Sequence, residues 1–324
     1  MPIVSFLLEG CHFELQYAWL RGPVGEKAPL QIRTSFDALS HVPSKLLGTL
    51  DHRSLPTIKG LRDLQMFQRL VPNSALFCST LNAVRVWAKA RGIYSAKFGF
   101  LGGYMWNILV GHVILENTGL SSWQEALCAF FRTYHNWKWE VDVVSLEPLD
   151  RGQIRDKGMV KIASTTSPYK GVARNVKLPT FLLLCDEFRR ADRILTNCCD
   201  PASWCEVFDT ANLFADSDSL FVRVYVCSAS LEELQEWQGY VSSRIVRALE
   251  DLADAGHWAR PVCYQWARVE PGSPFGCEFY LLIRKTSGGE TAAYKETVPI
   301  IQSAFEGWSR RTPTSAVQVE VLPR

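Results

Sequence analysis

The sequence predicts an α+β protein with a short N-terminal β-hairpin, a mostly helical middle and a C-terminal unit of β-α-β-β-α-β order. Three observations predict it. Apolar residues alternate with period two near both ends and recur at helical spacing between them. Cap and stop residues fall where that spacing begins and ends. The length, 324 residues, exceeds one ordinary core and calls for two or three domains.

The elements follow in order. "PIVSFLLEGCHFELQYAWL" reads as two strands joined at Glu9-Gly10, a turn dipeptide. On the second strand Cys11, Phe13, Leu15 and Tyr17 share one face, and His12, Glu14 and Gln16 share the other. Residues 21–57 read as loop, and a helical pattern runs from Ile58 to about Val141. "STLNAVRVWAKARG" reads as a helix with Ser79 or Thr80 as N-cap, Leu81, Val84 and Ala88 on one face, and a stop at Gly92. "GGYMWNILVGHVIL" and "SSWQEALCAFFRTYHNW", the latter capped by Ser121 or Ser122, complete a small bundle. Residues 142–178 read as a long irregular connection, and "KLPTFLLLCDEFRRADRIL" returns to helix.

The last third alternates differently. "SLFVRVYVCSAS" is a strand and "LEELQEWQGYVSSRIVRALEDLADAG" a long amphipathic helix ending at Gly256. "ARPVCYQWARV" and "CEFYLLIRKTS" are strands, "ETVPIIQSAFEGW" is a helix and "AVQVEVLP" a strand. That order is the ferredoxin-like topology, shared with RNA-recognition motifs.

Composition narrows the function. A 47% apolar, 12% aromatic chain is globular rather than disordered. A net charge of +2 provides no global field for nucleic acid, so any such binding rests on local patches. No apolar run approaches the ~18–20 residues of a membrane span. "MPIVSFLLEG" lacks the basic start and cleavage site of a signal peptide. Most of the ten cysteines lie in apolar runs and read as buried thiols of a reducing compartment. "NCCDPASWC" lacks the paired C-x-x-C knuckles of a zinc site.

Chemistry is suggested in the middle. Arg85 and Lys89 stand on one helix face, Lys97 follows the turn, and Tyr94 lies between as an exposed aromatic. Cations beside an aromatic suit a triphosphate; a solvated polar face carries the same pattern. "GFLGG" (Gly99 to Gly103) allows close backbone approach to a ligand or to another helix, and matches no phosphate-loop fingerprint. Glu14 is a candidate metal-binding carboxylate, or an ordinary exposed glutamate. Two-metal nucleotidyl transfer needs several converging carboxylates. In the C-terminal unit, Tyr264, Trp266 and Tyr280 are candidates to stack RNA bases, with Arg284 and Lys285 as weak phosphate contacts. Packing against the helices accounts for the same aromatics.

The string "LNAVRVWAKARGIYSAKFGFLGGYMWNILV" resembles the central domain of eukaryotic poly(A) polymerases. "LDHRSLPTIKGLR" and "FFRTYHNWKW" are similar to further segments of that family, and "PIVSFLLEGCHFELQYAWL" resembles the last hairpin of its nucleotidyltransferase palm. The resemblance is strong over about residues 1–140 and rests on element order beyond them. It implies a palm remnant at 1–20, a central domain at 21–178 and an RNA-binding-type domain at 179–324.

It further implies that Glu14 stands at the third catalytic aspartate, Arg85 at a phosphate-contacting lysine and Tyr94 at the ATP-contacting tyrosine. Gly103 and Tyr104 stand at a Gly-Val pair near the nucleotide, and Lys59 at an asparagine on the nucleotide side. The activity implied is transfer of AMP from ATP to RNA 3′ ends with Mg2+ or Mn2+, in the nucleus, alongside 3′-end processing factors. The family's first two catalytic aspartates and its GS motif, expected upstream of Met1, are not in this sequence. The chain is therefore expected to be inactive alone, and a non-catalytic RNA-binding or scaffold module is the alternative.

Overall fold

The computed structural model describes residues 3–18, 47, 50–52, 54–71, 74–149, 154, 158–167, 169–197, 200–210, 219–262, 266–268, 275–284, 289–305 and 316–321. The hairpin forms as expected from β1 (Ile3–Leu8) and β2 (Cys11–Gln16). Glu9 and Gly10 both take positive φ, 51° and 75°, as a two-residue hairpin turn requires. The register pairs Phe6 with Phe13 and Ser5 with Glu14. Phe6 and Phe13 stack at 5.5 Å on the face that also carries Val4, Leu8 and Leu15. Two strands alone are marginal in water. The hairpin is tethered by its end, where Thr57 Oγ1 donates to Gln16 Oε1 at 3.4 Å and Ala18 packs on the small cluster of Leu47 and Ile58.

The middle is a bundle of α1 (Ser54–Leu70), α2 (Ser74–Ala90), α3 (Gly103–Glu116), α4 (Trp123–His135), α5 (Leu178–Asn197) and α6 (Pro201–Phe208). Two expected starts move. Helix α1 begins at Ser54, inside the stretch read as loop, because Asp51 caps it: Ser54 N and Oγ donate to the Asp51 carboxylate at 2.9 and 2.8 Å. Helix α2 begins at Ser74, so neither Ser79 nor Thr80 is its N-cap. Thr80 Oγ1 instead donates back to Leu76 O at 2.8 Å within the helix. Helix α4 starts where expected, with Ser122 Oγ accepting from Glu125 N and Ser121 N donating to the Glu125 carboxylate.

The bundle core is aromatic. Trp87 of α2 meets Trp106 of α3, Phe131 of α4 and Phe188 of α5 at 6.0, 4.8 and 5.6 Å. All four are fully buried, and each such side chain contributes about 2–3 kcal/mol of burial. Trp106 Nε1 donates to Leu101 O and the nearby Tyr134 hydroxyl to Leu109 O, whereas Trp87 Nε1 is buried with no acceptor among the described residues.

The stretch read as an irregular connection is more than that. Val144 pairs with Ile162 and Ala163 with Gly171 in isolated bridges, and Val144, Val160, Ile162, Ala173 and Val176 are buried in the core. This strap crosses the bundle beside α1 and α3.

The C-terminal unit has β3 (Ser219–Ser228), α7 (Leu231–Asp254), β4 (Ala259–Pro261), β5 (Trp266–Arg268), β6 (Phe275–Arg284), α8 (Gly289–Phe305) and β7 (Ala316–Val321). Its antiparallel sheet runs β4-β6-β3-β7, with β5 also on β6. Val222, Val224 and Val226 face α7 and α8, and Arg223 and Tyr225 face the other way. A guanidinium contact joins this unit to the bundle: Arg260 Nη2 donates to Arg91 O, and within the bundle Arg91 forms a two-point ion pair with Glu187.

The cysteines divide more evenly than expected. Cys277 is buried, Cys128, Cys185 and Cys227 are half-buried, and Cys11, Cys78 and Cys205 are exposed. Cys198, Cys199 and Cys263 lie outside the described residues.

Candidate nucleotide site

Two side-chain clusters meet around the first turn of α3. The first is built by α2 and the turn that follows it. Arg85 Nη2 donates to Asn107 Oδ1 of α3 at 2.9 Å. Lys89, one helical turn on, places its ammonium 5.4 Å from the centre of the Tyr94 ring. Gly103 explains how these groups converge. A Cβ there would lie 3.2 Å from Tyr94 Oη, close enough that the phenol would have to give by a few tenths of an ångström, and 3.9 Å from Arg85 Nη2, an ordinary contact, so both groups close on this glycine. Gly102 caps α3 with no side-chain hydrogen bond. Met105 N and Trp106 N donate back to Gly102 O at 3.1 and 3.2 Å, which leaves the N–H groups of Gly103 and Tyr104 beside a guanidinium and a phenol, an arrangement that favours anionic oxygen. Tyr94 is half-buried, not exposed as expected, because its hydroxyl tucks against that turn. Lys97 is exposed on the 3-10 turn Ala96–Phe98.

The second cluster joins α1, α3 and the strap. Lys59 and Asp63, four residues apart on α1, form a buried ion pair at 3.4 Å. Lys59 Nζ also donates to Thr166 O at 2.8 Å and Thr166 Oγ1 at 3.1 Å. Thr166 Oγ1 donates to the Asp63 carboxylate, and Thr165 Oγ1 to Asp63 O at 2.6 Å. The Tyr104 hydroxyl accepts from Thr165 N at 3.3 Å and contacts Thr165 Oγ1 at 3.4 Å. Burial pushes the Tyr104 phenol up to about 12, so it stays neutral at any ordinary pH. Burial also lowers the Lys59 ammonium from its usual value; Asp63 opposes this, and Lys170 and Arg62 reinforce it. Arg62 Nη1 and Arg85 Nε are buried with no hydrogen-bond partner among the described residues.

The expected site residues are thus distributed as follows. Arg85, Tyr94 and Gly103 come together, and Tyr104 and Lys59 join them through Thr165, Thr166 and Asp63. Glu14 is exposed on the hairpin's polar face, without an ion pair to a described residue. Among the described residues no group of three or more His, Cys, Asp or Glu side chains is placed to hold a metal ion. A lone carboxylate does not fit the Mg2+ or Mn2+ that two-metal transfer uses.

The RNA candidates are scattered. Tyr280 Oη donates to Glu278 Oε2 at 2.6 Å, and Glu278 also pairs with Arg223 at 3.0 Å. Arg284 lies over the Trp258 ring at 4.8 Å. Trp266 pairs with Glu278 in the β5–β6 register; Tyr264 and Lys285 lie outside the described residues.

Sequence reasoning missed Asp63, Asn107, Thr165, Thr166, Arg62 and Lys170. Asp63 was signalled by its spacing from Lys59, and Asn107 as a polar residue in an apolar helix. The two threonines had no local signal, since only the tertiary fold of the strap brings them in.

Residues 76–210 match the model of the poly(A) polymerase central domain, and this span contains Arg85, Tyr94, Gly103, Tyr104 and both strap threonines. The central region is poly(A) polymerase-like. Nuclear poly(A) polymerase 1 of Arabidopsis thaliana is 25% identical over 100% of this chain and 46% of its own length. Nuclear poly(A) polymerase 3 of that plant is 29% identical over 75% of this chain and 46% of its own length. A poly(A) polymerase of Dictyostelium discoideum is 24% identical over 78% of this chain and 31% of its own length. The chain thus spans less than half the length of these poly(A) polymerases. Among solved structures, a cytoplasmic RNA terminal U-transferase aligns with 49% of this chain and 63% of its own, at 19% identity and a TM-score of 0.38. The matched span thus contains the Arg85–Tyr94–Gly103 cluster, while Lys59, Arg62 and Asp63 of the second cluster lie before it.

Proposed function

We propose that this chain is the nucleotide-gripping and C-terminal portion of the poly(A) polymerase reaction, in which AMP passes from ATP to an RNA 3′ end. One observation carries the reading: Arg85, Tyr94 and Gly103, separated in sequence, converge on the uncapped start of α3. There the guanidinium and the N–H groups of Gly103 and Tyr104 bind phosphate oxygens, and the Tyr94 hydroxyl adds a further donor. The Lys59–Asp63–Thr166 network holds the strap against α1 and fixes Tyr104 beside the same turn.

The chain's own residues bind and orient; the donor set does not support a metal-held reaction centre at Glu14. Residues 1–324 alone are therefore expected not to extend an RNA primer with ATP and Mg2+ or Mn2+. In this proposal the hairpin corresponds to the family's palm edge, the bundle extends to about residue 210, and the sheet order supports a ferredoxin-like, RNA-recognition-motif-like unit after it. RNA contact through the open sheet face is disfavoured, because Glu278 occupies Arg223 and Tyr280 there. The names of the plant relatives support a nuclear location, and through it work beside 3′-end processing factors.

The test is ATP titration of purified chain with Arg85→Ala and Tyr94→Ala. Losing a charge-assisted contact raises Kd about tenfold or more for Arg85→Ala, and a neutral one about threefold to tenfold for Tyr94→Ala. Equal ATP affinity in the wild type and both variants refutes the site.

A further inference from the structure

The hairpin carries an apolar face that the rest of the chain leaves open. The register of β1 and β2 brings Val4, Phe6, Leu8, Cys11, Phe13 and Leu15 onto one side, with no charged residue among them. Val4, Leu8 and Leu15 are 59%, 55% and 62% exposed, and the stacked Phe6 and Phe13 still 43% and 44%. Ser5, Glu14 and Gln16 stand on the opposite side. The Thr57–Gln16 bond and the packing of Ala18 tie the hairpin to the body at its open end. At these exposures the six side chains leave about 500 Å² of apolar surface uncovered, the size of patch that marks an interaction site. Tyr17, 71% exposed just past β2, adds to it.

Three features single out a second copy of this chain as the occupant. Two such faces together bury about 1,000–1,300 Å², which reaches the roughly 1,000 Å² of a specific interface. The face is uncharged along its whole length, so packing it on itself about a two-fold axis buries no charge and opposes no like charges, while Glu14 stays in water on the outer side. Two pleated faces pack as layers about 10 Å apart, and four strands around a shared apolar layer are stable where two alone are marginal. We propose that the chain forms a two-fold dimer in which the β1–β2 faces of two copies pack together, with Phe6 and Phe13 at the centre. The inference is independent of the nucleotide reading, because Arg85 and Tyr94 lie in the bundle and not on the hairpin. An interface of this area dissociates at roughly 1–100 μM.

Sedimentation equilibrium of residues 1–324 between about 1 and 200 μM, a range that brackets that dissociation constant, decides it. The expected mass rises with concentration from 36.6 kDa towards twice that value. A two-fold interface loses each substituted side chain twice, so Leu15→Glu raises the dimer Kd about tenfold or more. Val4→Thr with Leu15→Thr, a cross-strand pair, does the same while keeping β-branched residues that favour the strands. Leu182→Gln, on an exposed apolar position of α5, leaves the Kd unchanged. A single monomer mass up to the highest concentration overturns the proposal and leaves the face to a different partner. A dimer that persists in both hairpin variants, or that Leu182→Gln weakens equally, overturns it because the copies then meet elsewhere. Assemblies that grow beyond two copies overturn the closed two-fold arrangement.

Discussion

Replacing Glu187 by glutamine should be among the most damaging single changes in this molecule. Glu187 on α5 binds Arg91 at two points, 2.9 Å to Nε and 3.2 Å to Nη2, with side chains only 8% and 12% exposed. Arg91 also donates to Asp209 O at 3.0 Å, and its own carbonyl accepts from Arg260 of β4. Arg190, on the same helix as Glu187, is a second guanidinium nearby; its pKa is lowered by burial and by Arg91, and Glu187 opposes the shift. The substitution keeps the shape but removes the carboxylate that stands between two partly desolvated cations. Each charge-assisted bond is worth about 1.5–3 kcal/mol, and breaking a buried pair costs about 3–5 kcal/mol because a charge is left uncompensated. The expected loss is therefore about 3–5 kcal/mol. Urea unfolding read by tryptophan fluorescence suits the measurement, since Trp87 stacks on Phe188 next to Glu187. The double change Arg91→Met with Glu187→Leu should recover most of the loss, because it removes both charges and keeps the volume. A Glu187→Gln loss below about 1 kcal/mol, the scale of a surface ion pair, would refute the reasoning.

Three further outcomes follow from particular contacts. At Gly276 a Cβ would lie 2.6 Å from Tyr225 Oη and 2.8 Å from its Cε2, so Gly276→Ala should cost about 1–3 kcal/mol and Tyr225→Ser should relieve it; an additive double mutant in the same urea assay contradicts this. The Tyr104 phenol is raised from 10.0 to about 12, so the folded state favours its protonated form. Its contribution to stability is complete below the unfolded value and fades as pH rises towards the folded one. Spectrophotometric titration should therefore show that wild type and Tyr104→Phe release the same number of phenolic protons up to pH 10.0, and early ionisation of Tyr104 sinks the claim. Burial lifts the Cys185 thiol from 9.0 to about 11, so at mildly alkaline pH it should alkylate far more slowly than exposed Cys11, Cys78 and Cys205; mass spectrometry of a timed reaction reads the order.

Where local pattern and tertiary demand agreed, the sequence was a good guide. The Glu9-Gly10 turn, the Ser122 cap and the alternation along β3 are short-range signals, and each appears where it was expected. The start of α1 was hidden because Asp51 caps it from outside the apolar pattern, and α2 begins before Ser79 because its first turns carry no better marker. Arg85, Tyr94 and Gly103 were legible as a group through one continuous string. Thr165 and Thr166 were not, because their role depends on a strap whose buried valines and isolated bridges leave no periodic trace. Lys59 was visible and its i,i+4 spacing to Asp63 was a signal passed over, but the closure of that pair by Thr166 emerged only from the fold.

The central claim is that the start of α3, with Arg85 and Tyr94, receives the phosphates of a nucleotide. A crystal structure of the chain soaked with ATP tests it most directly. The phosphates should lie within hydrogen-bond reach of the Arg85 guanidinium and the Gly103 amide, with Tyr94 Oη alongside. Well-ordered ATP bound elsewhere, with that turn untouched, would contradict it.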